Sequence, residues 1–569
     1  MAVHAHAVAL DAPEDAVTAD PARNAAIWFA PDGYDPAKGV NGRRMAGDSF
    51  LRGWFRHAEV AEWLALTHGP TDAQVFRDLA GSARPDIPAR VERLENARAI
   101  APVGSLFISG PNFATEAWRR SQWGATAYAI CGITHTISTK AVMEGLWHLR
   151  AAPQAEWDAI ICTSRAVRAA VGLQMDLIDD FLSQRFGGVL PPRPQLPVIP
   201  LGVDCDAFQP DPAAGLALRA ELGIPAGDCV ALIVARLSPH EKFDPLPVYL
   251  ALQRAQAGAG RRLHLILYGD FPDGYSRRVF LDPARNVMPD VALHHLPHRD
   301  AARRLAALSA AEMFLFPIDN LQESFGIAPV EAMAAGLPVV ASDWDGIRDT
   351  VADGTGFRIP TTGARPEHVT VPGQRYHGGT DNYIQYLSQV SAVTRIDVGL
   401  MAQAVRRLMT DGDLRAAMGA AGRARARALF DWKVVVPVMQ DLFADLDARR
   451  RHADPARHPP LPAAGLPVAP SPMALFQAFP TVQLSKTARY RWTGRNSLPV
   501  VQMMALRDYP ATKRIFETPE TVEAVGAALS ARDAATAAEL AAALGRAPSQ
   551  VERCLLWLMK YDYAETEDT

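Results

Sequence analysis

Short apolar runs alternate with longer stretches rich in Ala, Arg and Leu along this chain of 569 residues, and this alternation limits the folds open to it. Each run is almost continuously apolar, as expected of parallel strands that are buried on both faces. A first series of runs lies at 25–30, 104–109, 125–133 and 157–164, and a second at 229–237, 263–269, 312–317 and 337–342. Because strands that alternate with helices form parallel sheets, the sequence predicts two doubly wound α/β domains facing a cleft.

The boundary between the two series is the segment QLPVIPLGVD at 195–204, whose prolines suit a connector better than a central strand. We therefore predict a first domain over 24–198 and a second over 199–430. Helical patterns at 397–409 and 412–429 end the second domain, and a closing helix follows over 431–451. The Pro- and Ala-rich segment 452–475 is predicted to be a semi-rigid linker to a helical appendage over 476–569.

The appendage carries three short helical patterns within 516–564, and Gly545 and Pro548 mark a tight connection between the last two. This arrangement resembles a winged-helix or helix-turn-helix module. Between Glu517 and Asp568, however, ten acidic residues stand against four basic ones, and an acidic face repels the DNA backbone. The run 555–559 carries more apolar surface than a three-helix unit can easily bury. We therefore predict that the appendage has a protein-contact or oligomerisation role and does not bind nucleic acid.

The overall composition excludes several other classes of protein. A net charge of −4, from 58 basic and 62 acidic residues, argues against a general nucleic-acid coat. Five cysteines without a C-x-x-C pair predict reduced, buried thiols, with neither a disulfide framework nor a zinc site. The clustered His294, His295 and His298 match no metal-binding pattern and are predicted to lie in a loop after a strand. No signal peptide or membrane-spanning run is recognisable, which predicts a cytoplasmic protein, in solution or at the inner face of a membrane.

The most informative stretch is LQESFGIAPVEAMAAGLPVVASDWDG at 321–346. Ser324, Phe325 and Gly326 lead from a strand into a helix, and a helix N-terminus presents free N–H groups that can bind a diphosphate. Glu331 lies eight residues after Glu323, which is about 12 Å if the whole segment is helical. Carboxylates at the two ends of that span could each accept hydrogen bonds from sugar hydroxyls.

An isolated pair of glutamates at this spacing is usually a pair of solvated helix charges, but the wider pattern changes the interpretation. The stretch resembles the E-x7-E region of retaining GT-B glycosyltransferases of family 4, also called glycosyltransferase group 1. Further segments of the second domain that fit the family lie at 199–208, 235–245 and 353–361, and segments of the first domain lie at 38–53, 133–139 and 162–171. The resemblance covers residues 24–450 and implies two Rossmann-like domains.

The resemblance also implies roles for individual residues. Glu323 would position the donor sugar, Glu331 the ribose, and His135 would hydrogen-bond the transferred sugar. Arg236 and Lys242, at the end of a strand and in the loop after it, would bind the diphosphate, although six residues separate them where the family usually has five. The other predicted diphosphate contacts are the loop glycines Gly39 and Gly42 and the helix start, Ser324, Phe325, Gly326 and Ile327.

The function implied is transfer of a sugar from a nucleotide-sugar to a hydroxyl acceptor with retention of configuration, without a metal or another cofactor. The acceptor would be a saccharide, a lipid-linked saccharide or another glycoconjugate. Two alternatives stay open: another GT-B enzyme, such as a sugar-nucleotide epimerase or a phosphorylase, and a non-catalytic regulator that binds a nucleotide-sugar.

Overall fold

A computed structural model describes residues 20–34, 42–298, 300–321, 323–462, 465–507 and 515–567. The chain divides into two units, the first ending at Val468 and the second beginning at Ala469. The first unit contains both of the predicted α/β domains. Within the described residues, no helix is both long enough and apolar enough to span a bilayer.

The first domain is built on a parallel sheet of six strands among the described residues, in the order β3-β2-β1-β4-β5-β6. Its strands are β1 (Ala26–Trp28), β2 (Trp63–Thr67), β3 (Ala89–Arg93), β4 (Ser105–Ile108), β5 (Ala129–Ile133) and β6 (Ala159–Ile161). Its helices are α1 (Gly42–His57), α2 (Pro70–Ala83), α3 (Ala114–Ser121), α4 (Lys140–Ala151) and α5 (Arg165–Phe186). Strands β4, β5 and β6 are fully buried, as their continuous apolar sequences predict.

The second domain also has a parallel sheet of six strands in its described part, in the order β12-β11-β10-β7-β8-β9. The elements up to β12 are α6 (Pro212–Glu221), β7 (Cys229–Val234), α7 (Pro245–Gln256), β8 (Leu263–Tyr268), α8 (Gly274–Leu281), α9 (Ala284–Val287), β9 (Ala292–Leu296), α10 (Ala301–Ala310), β10 (Met313–Phe316), α11 (Ile327–Ala334), β11 (Val339–Ser342), α12 (Ile347–Thr350) and β12 (Gly356–Ile359). The prediction of two doubly wound domains is therefore confirmed.

An insertion follows β12 before the final helices of this domain. It comprises β13 (Thr361–Thr362), α13 (Pro366–His377), α14 (Tyr383–Ser391) and β14 (Arg395–Ile396). The short strands β13 and β14 pair antiparallel at its base. Two helices, α15 (Val398–Thr410) and α16 (Gly412–Leu429), then complete the domain close to the predicted bounds.

The closing helix α17 (Trp432–His452) returns the chain to the first domain, where Phe443 meets Trp54 with 5.9 Å between ring centroids. The chain thus crosses between the domains twice, near Val203 and near Trp432. Backbone hydrogen bonds join the two crossings, from Val203 N–H to Phe430 O (2.7 Å) and from Trp432 N–H to Val203 O (3.2 Å). The indole of Trp432 packs against Gly202, where a Cβ would lie 2.2 Å from the ring. Both crossings are therefore fixed by close packing.

Several sequence predictions need correction. His294 and His295 lie within β9, an edge strand, and not in a loop, because an edge strand tolerates half-buried polar side chains. The start of the predicted linker is packed on the first domain: His458 meets Trp157 edge-on at 5.0 Å, and Leu461 N–H donates to Ser121 O. The five cysteines are buried and unpaired, as predicted.

The described part of the second unit contains three antiparallel strands in addition to helices, and those strands were not located from the sequence. Its elements are α18 (Pro472–Leu475), β15 (Arg489–Trp492), α19 (Val500–Leu506), α20 (Pro519–Ser530), β16 (Ala535–Thr536), α21 (Ala537–Leu544), α22 (Pro548–Lys560) and β17 (Ala564–Thr566). The expectation that α22 has too much apolar surface to hide is wrong. Leu555, Trp557 and Leu558 are buried in this unit's own core, and only Leu556 of that run is largely exposed.

Candidate active site

A cavity of about 540 Å³ lies between the two domains, and we call it the cleft cavity. It is bounded by α1 and the end of β5 from the first domain and by the ends of β7 and β10 and the start of α11 from the second. Carboxyl ends of parallel strands are where open α/β sheets bind ligands. The predicted site residues that line it are His135, Arg236, Lys242, Glu323, Ser324, Phe325, Gly326, Ile327 and Glu331.

The start of α11 is shaped to leave backbone N–H groups available. Gly326 is its N-cap residue with φ of +85°, a left-handed conformation that glycine adopts without strain, and it offers no side-chain cap. Phe325 is 2% exposed and meets Phe430 edge-on, which anchors the turn in the core. On the other side, the backbone of Gly346 packs closely against that of Ser324, since a Cβ at Gly346 would lie 2.1 Å from Ser324 O. The first turn of α11 therefore faces the cavity as a rigid site for an anion.

Two cations and two carboxylates of the cavity form two ion pairs. Lys242 Nζ donates to Glu323 Oε2 at 2.5 Å, and Arg236 Nη2 lies 3.0 Å from Glu241 Oε1. The ion pair between Arg236 and Glu241 thus lies inside the predicted site. A diphosphate that entered the cavity would compete with both carboxylates for these cations.

The loop between Arg236 and Lys242 is one residue longer than the family's usual spacing, and a hydrogen-bonded turn accommodates this residue. Lys242 N–H donates to Ser238 O at 3.0 Å, and Glu241 N–H donates to Ser238 Oγ at 3.3 Å. Beyond the turn, Asp319 Oδ2 accepts from Asp244 N–H at 3.1 Å, and burial raises the pKa of Asp319 to about 7. The longer spacing therefore does not remove Lys242 from the cavity.

Glu331, in the second turn of α11, forms an ion pair with Arg304 of α10. Burial raises the pKa of Glu331, and the positive charge of Arg304 opposes that rise. Arg304 also lies over the ring of Phe208, with its guanidinium carbon 5.1 Å from the centroid. The helix contains only Ile327–Ala334, so Glu323 precedes it and the all-helical distance estimate between the two glutamates does not apply.

The first domain contributes His135, two residues after β5, and the first turns of α1. Gly42 is the first residue of α1, and Met45 and Ala46 of that helix line the cavity. Gly39 lies outside the described residues. Sequence reasoning missed Met45, Ala46, Thr136, Thr139, Arg304 and Tyr383 as cavity residues.

Tyr383 belongs to the insertion after β12, and its hydroxyl lies 2.8 Å from Ser138 Oγ of the first domain. The same hydroxyl of Ser138 donates to Leu321 O at 3.2 Å. Two further contacts reach the insertion from Lys140, whose N–H donates to Tyr376 Oη and whose Nζ donates to His377 O. The insertion therefore fixes one wall of the cavity to the opposite domain.

Residues 216–368 match the family model described as glycosyl transferases group 1. A D-inositol 3-phosphate glycosyltransferase of Nocardia farcinica is 30% identical over 171 residues, which is 29% of this chain and 37% of that protein. A GDP-mannose-dependent alpha-(1-6)-phosphatidylinositol monomannoside mannosyltransferase of Mycobacterium tuberculosis is 27% identical over 51% of this chain and 68% of its own length. The matched region thus spans a little over a third of the first relative and about two thirds of the second.

Two solved structures are similar to this chain at low sequence identity. Anabaena HepE in complex with UDP-glucose is 17% identical, with 73% of this chain and 98% of that chain covered at a TM-score of 0.44. Sucrose-phosphate synthase from Thermosynechococcus elongatus is 19% identical, with 76% and 98% covered at a TM-score of 0.44.

We predict that Lys242→Ala weakens binding of a nucleoside diphosphate by about 10- to 150-fold, since a lost charge-assisted hydrogen bond costs about 1.5–3 kcal/mol. Isothermal titration with UDP and GDP measures the effect. Lys433→Ala, at a half-exposed lysine 3.9 Å from Asp431, is the matched control and should bind as the unmodified chain does. Equal affinity in Lys242→Ala and the control would assign the role to another cation.

Proposed function

Since residues 216–368 belong to the glycosyl transferases group 1 family, we propose that this protein is a retaining glycosyltransferase that uses a nucleotide-sugar donor and a hydroxyl acceptor. One observation carries the proposal. The cleft cavity brings Arg236, Lys242 and Glu323 together at the uncapped start of α11. Cations and free N–H groups that converge on one cavity suit a diphosphate, and a carboxylate beside them suits the hydroxyls of an attached sugar.

Donor binding would exchange the partners of the two ion pairs. Arg236 would leave Glu241 and Lys242 would leave Glu323 to contact the diphosphate oxygens, together with the N–H groups of α11. Glu323, released from Lys242, would then accept hydrogen bonds from the donor sugar. Glu331, held by Arg304 one turn further along the helix, would accept the ribose hydroxyls. His135 would contact the sugar from the first domain.

In the transfer step, the bond between the anomeric carbon and the diphosphate oxygen breaks, and a bond from the acceptor oxygen to the same carbon forms on the same face. The acceptor's proton passes to the departing diphosphate. Negative charge grows on that diphosphate as the bond breaks, so Arg236, Lys242 and the start of α11 stabilise the transition state more than the ground state. The chemistry assigned to these residues requires no metal or other cofactor.

Relatives and structural neighbours bear names that mention GDP-mannose, UDP and phosphatidylinositol-based substrates, and we propose a hexose donor of the UDP or GDP class. The proposed acceptor is a saccharide, a lipid-linked saccharide or another glycoconjugate. A lipid-linked acceptor would place the protein at the cytoplasmic face of a membrane, which stays a prediction.

We also propose that the second unit makes protein contacts and does not bind DNA. Its arginines Arg489 and Arg495 pair with Glu567 and Asp562 at 3.1 and 2.8 Å, which neutralises positive charge that a phosphate backbone would need. Apolar side chains that remain exposed in this unit include Met473, Leu475, Phe476, Phe479 and Val482. The full chain should show no salt-sensitive binding to duplex DNA at micromolar concentration in a fluorescence anisotropy titration, and such binding would contradict the proposal.

The proposed activity is tested by a thermal-shift screen with UDP-, GDP- and ADP-sugars, followed by product analysis. A donor at 100 times its Kd stabilises the protein by about 2.7 kcal/mol. The stabilising donor should be slowly hydrolysed without an acceptor. The one-bond C1–H1 NMR coupling constant of the transferred sugar should show the same anomer in the product as in the donor. Tight binding of a donor that stays intact would favour a non-catalytic regulator. A product with the inverted configuration would refute retention. Release of an epimerised nucleotide-sugar would indicate an epimerase.

The two glutamates of the cavity should differ in their kinetic effects. Glu323→Gln keeps the shape but removes the charge near an oxocarbenium-like centre, so kcat should fall more than the donor KM changes. Glu331→Gln, at the ribose end, should mainly raise the donor KM because its contact is equally made before and during the reaction. Steady-state kinetics with the donor found in the screen measure both values.

Glu95→Gln, a substitution of an exposed glutamate paired with Arg93, is the control and should be unchanged. Equal losses of kcat at unchanged KM in the variants of Glu323 and Glu331 would refute the division of roles. Full activity in both would refute the site.

A further inference from the structure

A second cavity of about 500 Å³ lies beside the cleft cavity, and we call it the side cavity. The first domain supplies one side of it from α4 and α5, and the loop after β11 supplies the other. This volume lies in the range of pockets that hold a small organic ligand. None of the donor-binding residues proposed above lines it.

The two cavities share one wall, built from residues 136–139 of the first domain and from Leu321 and Glu323 of the second. Thr136 and Thr139 line the cleft cavity, whereas Ile137 and Ser138 line the side cavity. On the other segment, Leu321 lines the side cavity and Glu323 the cleft cavity. A ligand of the side cavity would therefore lie one loop away from the carboxylate proposed to position the donor sugar.

The side cavity has an apolar face and a polar face. The mainly apolar face, on the first domain, also carries the polar side chains of Ser138 and Gln174; its apolar residues are Ile137, Met143, Ala166, Val167, Ala170 and Val171. The polar face comes from Asp343, Asp345, Arg348 and Thr361 of the second domain, with the indole of Trp344 beside them. A ligand that fits both faces has hydroxyl groups on one side and a hydrocarbon portion on the other.

Asp345 connects this polar face to the reaction centre. It has φ of +44°, a left-handed conformation that is uncommon for a residue with a side chain and is retained where the surroundings require it. Burial, together with the smaller effect of the negative charge of Glu323, raises the pKa of Asp345 to about 7. The two carboxyl groups therefore interact through the shared wall.

We propose that the side cavity binds the acceptor, and that the acceptor is an amphipathic alcohol: a sugar or polyol hydroxyl held by Asp345 and a hydrocarbon portion lying on α5. This assignment rests on the proposed function and deepens it. The acceptor hydroxyl would reach past the shared wall to the anomeric carbon, form the new glycosidic bond there as the diphosphate oxygen leaves, and give its proton to that oxygen. The apolar wall predicts that a free sugar is a poorer acceptor than its alkyl glycoside.

Substitutions on α5 test the proposal with a matched pair. Ala169 and Ala170 are both exposed on this helix, but only Ala170 lines the side cavity. Ala170→Trp fills the cavity, and Ala169→Trp adds the same side chain outside it. The probe is hexyl β-D-glucoside, compared with glucose, in isothermal titrations against the full chain with the donor's nucleoside diphosphate present.

Hexyl β-D-glucoside should bind the unmodified chain and Ala169→Trp at least tenfold more tightly than glucose does, and Ala170→Trp should bind it at least tenfold more weakly. Donor hydrolysis should be equal in all three proteins. Equal binding of the glucoside by both tryptophan variants, or no preference for the glucoside over glucose, would overturn the proposal while leaving the donor chemistry intact. Failure of donor binding in the unmodified chain would instead refute the proposed function.

A second variant covers the case in which Ala170→Trp does not fold. Asp345→Asn keeps a residue that tolerates the left-handed conformation and removes the carboxylate. We expect it to weaken binding of hexyl β-D-glucoside at least tenfold while the Kd of the nucleoside diphosphate stays the same. Unchanged glucoside affinity in Asp345→Asn would overturn the role of Asp345 and, with it, the assignment of the polar face.

Discussion

The indole of Trp432 packs where the chain crosses between the two domains, near Val203 and near Trp432 itself, and the cleft cavity depends on this packing. A Cβ at Gly53 or at Gly202 would lie 2.4 or 2.2 Å from the ring, so only glycine admits the indole on either side. Its Nε1–H donates to Ser49 Oγ of α1 at 2.9 Å. The same helix supplies Met45 and Ala46 to the cleft cavity. The packing that sets the position of the second domain therefore also positions one wall of the cavity.

Charge within the cleft cavity is balanced before any ligand arrives. Arg236 and Lys242 each have a carboxylate partner, and Arg304 is paired with Glu331. Pairing lowers the cost of holding these charges at a partly buried site. It also means that a diphosphate binds by replacing carboxylates. Its net binding free energy is therefore smaller than the sum of the free energies of its individual contacts. When a donor sugar binds, its hydroxyls donate hydrogen bonds to Glu323, which Lys242 has released, and these bonds offset part of the lost binding free energy. The cavity should therefore bind the intact nucleotide-sugar more tightly than the nucleoside diphosphate alone.

The sequence predicted most of the central strands of both sheets, because such strands are buried on both faces and must be almost continuously apolar. It did not predict the edge strands β3 and β9, which carry half-buried polar side chains such as Arg90 and His294. It also missed the central strand β2, although that strand is fully buried. Local sequence also located Glu323, Gly326 and Glu331, because a strand, a loop and a helix start in succession define their place. Within the candidate site, Arg304 and Tyr383 could not be predicted in this way, because tertiary packing brings α10 and the insertion to the cavity.

The insertion after β12 limits how the wall shared by the two cavities can move. Loop 138–140 of the first domain is hydrogen-bonded to it at Tyr376, His377 and Tyr383, and to Leu321 of the second domain. At about 1 kcal/mol net for each bond, separating this loop from the second domain would cost a few kcal/mol. A hinge motion at the two crossings would have to break these bonds or carry the loop along with the second domain. In the second case, loop 138–140 would keep its position relative to Leu321 and the insertion while the rest of the cleft opens, so the donor and acceptor positions would keep their relation to the second domain.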